Sequence, residues 1–142
     1  MPILEQRDAD AVRQEFQRIQ GPVKLVVFSQ ELVAGELCRQ NEQLVREVAA
    51  LDDRITVEVL NPAIDRERAE AYGVDQVPAI VVEGGRDYGI RFLGIPSGYE
   101  FSNLIDSIIV ASSGETGLSE ATKTSLAGLT GDVDIKVFST PT

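Results

Sequence analysis

Histidine is absent from this chain of 142 residues, and cysteine occurs once, at Cys38. The first absence removes the commonest general base and the commonest nitrogen ligand for a metal. The second removes any thiolate zinc cluster and any disulfide within the chain. Long apolar runs are missing too. Residues 25–28 make a run of four, far short of the ~20 that a membrane-spanning helix needs, so no membrane partner is expected. Basic residues are outnumbered, 13 Lys and Arg against 23 Asp and Glu, for a formal net charge of −10. A surface that acidic repels phosphate backbones, so no nucleic acid partner is expected either. The opening MPILEQRDADAVRQ is acidic and helically spaced. It lacks the basic start and apolar stretch of a signal peptide, and a cytoplasmic location is the expectation. No nucleophile–base pair, metal constellation or cofactor motif stands out.

What is present is a core-forming composition. Hydrophobic residues make up 43% of the chain, which excludes a disordered polymer and suits one domain, with room for an appendage. Residues 4–20 read as an amphipathic helix with Val12, Phe16 and Ile19 on one face, stopped by Gly21-Pro22. VKLVVFS (23–29) is a β-branched run suited to a strand buried on both faces. Residues 32–51 follow as a long helix with Leu37, Leu44, Val48 and Leu51 in one stripe, widened by Val45. RITVEVL (54–60) alternates as a strand, and a short helix ends at Gly73.

The second half begins with VPAIVVEGGRDYGIRFLG, two short strands. They are joined at Gly84-Gly85, a turn that tolerates positive φ. A helix follows over 97–112, with Ser97 and Glu100 as a capping box. Residues 118–129 form a last short helix. Residues 133–139 read as a strand, with turn residues after them. The β-α-β portion demands a parallel pair and the hairpin an antiparallel one. The fold class is therefore α/β, a four-stranded mixed sheet flanked by helices. It carries an extra N-terminal helix and a C-terminal helix plus strand.

That order, together with YGVDQVPAIVV, resembles the thioredoxin fold. The resemblance implies a cis Val77–Pro78 bond and a substrate-binding edge at Val77 and Pro78, where an extended peptide can pair. RFLGIPSGYEF and the closing ETGLSEATKTSLAGLTGDVDIKVFSTPT narrow it further. They resemble the protein disulfide oxidoreductases, or glutaredoxin-like proteins, which carry two such units in tandem. They are also similar to the N-terminal domain of the alkyl hydroperoxide reductase flavoprotein subunit. An internal echo supports the tandem idea: Val27-Phe28-Ser29 recurs 110 positions later as Val137-Phe138-Ser139, each with a lysine just upstream. The expected division is a thioredoxin-like unit over 1–112. Residues 113–142 would be a linker helix and the first strand of a second unit.

In the family, the turn after that strand leads into the C-x-x-C motif, and the chain ends there. The expectation is a truncation: a fragment of a longer protein, or a selenocysteine codon misread as a stop. Carried back by the same offset, the attacking cysteine of the first unit falls at Val33 and the resolving one at Glu36. Neither thiol is present, so this chain by itself has no dithiol chemistry. The expected role is a redox-inactive structural or docking unit of a thiol–disulfide oxidoreductase. Two alternatives stand beside it. One is a monothiol glutaredoxin-like enzyme using Cys38, the single catalytic candidate. The other is a peptide-binding module at the Val77–Pro78 edge. Against the first, Cys38 lies in the second helical turn and shares a face with Ala34, Val45 and Val48, as a small buried hydrophobe does. Expected partners are protein or peptide thiols and disulfides, with a homodimer through 133–139 as one way to pair the last strand. Gly84-Gly85 is no phosphate loop, since no helix follows it. Glu67, Arg68 and Glu70 read as a solvated helix face, and Tyr72, Tyr88 and Tyr99 as packing residues.

Overall fold

The computed structural model describes residues 1–140; Pro141 and Thr142, the last of the expected turn, lie outside the described residues. Five helices and four strands follow the predicted order. Helix α1 spans Gln6–Glu15 and passes into a 3-10 turn at Phe16–Arg18. Strand β1 is Val23–Phe28, α2 is Glu31–Ala49, β2 is Ile55–Leu60 and α3 is Arg66–Tyr72. Strands β3 (Ala79–Glu83) and β4 (Asp87–Leu93) form the hairpin, and α4 (Tyr99–Ser113) and α5 (Glu120–Ala127) close the chain. The sheet order is β2-β1-β3-β4. Strand β1 is parallel to β2 and antiparallel to β3, and β3 is antiparallel to β4.

The period-2 side chains of the central strands feed two cores. Val23, Leu25, Val27, Ile80 and Val82 face α1, α2 and α4, and bury against Phe16, Val45, Val48, Leu104 and Ile108. Val26, Phe28 and Val81 face α3, where Ala69 and Val74 cover them. Because β1 and β3 are covered on both faces, they read as unbroken apolar runs.

Several local expectations are corrected. Gly84 and Gly85 do not have positive φ. Glycine is needed at 84 for space: a Cβ there would lie 1.8 Å from the carbonyl oxygen of Ala111 on α4. The capping box of Ser97 and Glu100 does not form. Gly98, at φ +60°, is the N-cap of α4, and no side chain caps it. Leu37 is exposed rather than part of the α2 stripe. The helix breaks at Ala34 (φ −144°, ψ 50°), and the buried face beyond it runs through Cys38, Asn41, Leu44, Val45 and Val48. Residues 133–139 form no strand and are exposed throughout. A strand exists only by pairing its N–H and C=O groups with a neighbour. No other segment of the described chain pairs with these residues.

Candidate functional site

The register of the sheet assembles one end of the molecule. Phe28, the last residue of β1, sits opposite Ala79, the first of β3. The Val77–Pro78 segment therefore enters the sheet beside the turn that carries β1 into α2. That turn is held by Ser29 N–H donating to the Leu60 carbonyl at 2.9 Å. Gln30 is the extended N-cap, and α2 begins at Glu31. Val33 and Glu36, the two expected dithiol positions, both lie in the first turns of α2. Val33 is 69% exposed. The Glu36 side chain also projects into solvent, where Arg39 Nη2 and Gln40 Nε2 each donate to it at 2.8 Å. Those hydrogen bonds, Arg39 first, hold its carboxyl below the usual carboxylate range. Position 36 thus carries a fixed negative charge.

Cys38 has no exposed surface. Its Sγ faces back under the helix start and accepts the Gln30 N–H at 3.4 Å. A thiol so placed satisfies an orphan N–H of the helix N-terminus and packs as an apolar group. The Val77–Pro78 peptide bond is cis. Pro78 is buried and its carbonyl accepts the Gly94 N–H at 2.9 Å. Val77 is half-buried against the α3 core. Its own N–H and C=O pair with nothing among the described residues.

The expected site residues thus fall at one end, but they do not converge on a reactive atom. Val33 and Glu36 are at the surface, Cys38 is beneath them, and Val77 offers backbone alone. The described residues contain no cluster of three or more cysteines and carboxylates able to hold a metal. Glu67 and Glu70 are exposed on α3. Arg68 pairs with Glu58 at 2.6 Å, and Tyr72 donates to Glu83 at 2.8 Å.

Two features were missed in the sequence. Asn41 is wholly buried, and neither amide atom has a partner among the described residues. Its i+3 spacing from Cys38 and i−4 spacing from Val45 could have placed it on the inner face. The other is a prominent apolar pair, Leu32 at 97% exposure and Ile64 at 80%. They flank a groove of about 580 Å³ between the start of α2 and the β2–α3 loop. Exposure of this kind leaves no periodic signal.

No family model matches the chain. Among curated relatives, an NADH dehydrogenase of Ferdinandcohnia aciditolerans is 32% identical over 111 residues, 78% of this chain and 18% of that protein. A probable thioredoxin of Methanothermobacter thermautotrophicus is 41% identical over 54 residues, 38% of this chain and 59% of that one. The chain spans less than two thirds of either relative. Among solved structures, the alkylhydroperoxide reductase protein AhpF of Enterococcus faecalis matches with a TM-score of 0.79 and 23% identity, over 89% of this chain and 61% of that one. A protein disulfide oxidoreductase from Aeropyrum pernix matches at 0.78 and 24%, over 92% of this chain and 57% of that one. The fold is therefore thioredoxin-like, as the sheet order and the β-α-β unit already indicate.

Proposed function

We propose that this chain is a redox-inactive thioredoxin-fold unit of a thiol–disulfide oxidoreductase of the glutaredoxin-like type, with a structural and docking role. One observation carries the reading: Val33 and Glu36 stand where the dithiol of such a unit would sit, while the only thiol, Cys38, has no exposed surface. Disulfide exchange needs an accessible attacking thiolate and a second thiol to release the mixed disulfide. A valine and an ionised glutamate supply neither. The unpaired N–H and C=O of Val77 support a docking role, since an extended peptide can take up both.

The division into a unit over 1–112 and an appendage over 113–142 belongs to the same reading. Helix α5 buries no residue, and residues 133–138 leave Val133, Ile135, Val137 and Phe138 in solvent. Apolar surface of that extent is expected to be covered. We assign the appendage to a second unit, in which 133–139 would be the first strand and where catalysis on protein or peptide thiols and disulfides would lie. A homodimer through 133–139 is the competing arrangement. The setting that suits this chemistry is the cytoplasm. Against a monothiol enzyme stands the burial of Cys38. The experiment is a thiol-reagent titration of the native protein at neutral pH, with a disulfide-reduction assay alongside. Labelling should proceed no faster than unfolding, and no disulfide should be turned over. Fast single-site labelling that disappears in Cys38→Ser, or measurable turnover, would reject the reading.

A further inference from the structure

We infer that the Leu32–Ile64 groove is a docking point for an extended segment of another polypeptide in which large apolar side chains are flanked by basic ones. The inference rests on the docking role proposed above and names the chemistry of the partner. Leu32 and Ile64 stand almost free of the protein surface, with Val33 beside them at 69% exposure. A contiguous group of this kind on a small unit marks an interaction site rather than incidental exposure. Val59 and Leu60 belong to the groove wall, with Gln30 and Asn61 as its polar lining. It opens at the carboxyl ends of the parallel strands β1 and β2, where open α/β sheets take their ligands.

The appended segment does not explain this surface. Helix α4 runs away from it, and the chain leaves the unit where Gly114 lies against Tyr88, beside the β3–β4 turn at the opposite end of the sheet. Charge selects the occupant. Glu31 and Asp65 line the groove without an ion pair among the described residues. Glu36 and Arg39 neutralise each other, which leaves Arg66 as the opposing cation among the described residues there. Lysines or arginines beside an apolar anchor would meet this rim favourably, and an acidic segment would be repelled.

The test uses the full chain and a fluorescein-labelled octapeptide with a central Phe-Leu pair flanked on each side by two lysines, followed by anisotropy. Saturable binding is expected. Leu32→Ser and Ile64→Ser, both at exposed positions that leave the fold intact, should each weaken it by about tenfold. Glu31→Lys should weaken it by about threefold and reduce its salt dependence. Four results overturn the inference. They are no saturation up to about 1 mM, equal binding of a peptide with serines in place of Phe-Leu, indifference to Leu32→Ser and Ile64→Ser, and a self-association that Leu32→Ser dissolves, which would identify a second copy as the occupant. Cys38 labelling on the same samples separates the two proposals. A silent peptide with a silent thiol overturns the docking point alone, whereas a fast thiol overturns the redox-inactive reading whatever the peptide does.

Discussion

Gly84 and Gly85 are neighbours in one turn, yet alanine should be tolerated at only one of them. A Cβ at position 84 would lie 1.8 Å from the Ala111 carbonyl oxygen and 2.7 Å from its carbon. Real Cβ contacts essentially never fall below 3.0 Å, so hairpin and helix must part by at least about 1.2 Å. The obstacle is main chain, which has no rotamer to escape into. Moving it lifts the end of α4, whose Ile108, Ile109 and Ala111 are buried against the sheet. Overpacking ordinarily costs about 1–3 kcal/mol, and a clash with backbone belongs at the top of that range. Gly84→Ala should therefore lose about 3 kcal/mol, which for a unit of this size lowers Tm by roughly 10 °C. Gly85 has open space around it and no positive φ. Gly85→Ala should stay within about 0.5 kcal/mol of the parent. Urea unfolding followed by circular dichroism measures both. A Gly84→Ala protein within about 0.5 kcal/mol of the parent, or a Gly85→Ala protein as damaged as Gly84→Ala, would refute the account of this turn.

Asn41→Leu keeps the heavy-atom count and branching and removes two buried polar atoms that have no partner among the described residues, so urea unfolding should show a gain of about 1 kcal/mol; a comparable loss would refute this account of the site. Arg91 donates to Asp87 through both terminal nitrogens, at 2.8 and 2.7 Å, and chiefly through those bonds holds its carboxyl below the usual aspartate range. A folded-state value below the unfolded one stabilises fully above about pH 4 and fades as pH falls through the folded value. The urea midpoint should therefore drop on acidification, and Asp87→Asn should lower it at neutral pH and flatten that drop; an unchanged acid profile would contradict the assignment. Deleting residues 114–142 should leave a cooperative melt, because no residue in 114–140 is buried; its loss would place the boundary of the unit elsewhere.

The element order was readable because it rests on local chemistry. Alternation, apolar spacing, Gly21-Pro22 and Gly73 each act within a few residues of themselves, and together they demand one parallel and one antiparallel pair. That neither residue 33 nor residue 36 is a cysteine is likewise plain from the sequence, since a missing thiol is a fact of composition. Cys38 could be placed on the inner face of α2 by helical phase alone. Asn41 obeys the same phase, but its polarity argues for the surface, and only the packed core reveals that it has no partner. The expected strand at 133–139 failed for a related reason. β-propensity describes how a segment fits a neighbour, and the described chain contains no neighbour for it. Gly84 is the clearest division. Sequence shows a turn there, but the reason for glycine is the carbonyl of Ala111, 27 residues away. That contact exists only once α4 lies on the sheet. Local propensities thus determined which elements form. Tertiary packing decided which side chains have partners, which backbones touch, and which apolar groups are left facing outward.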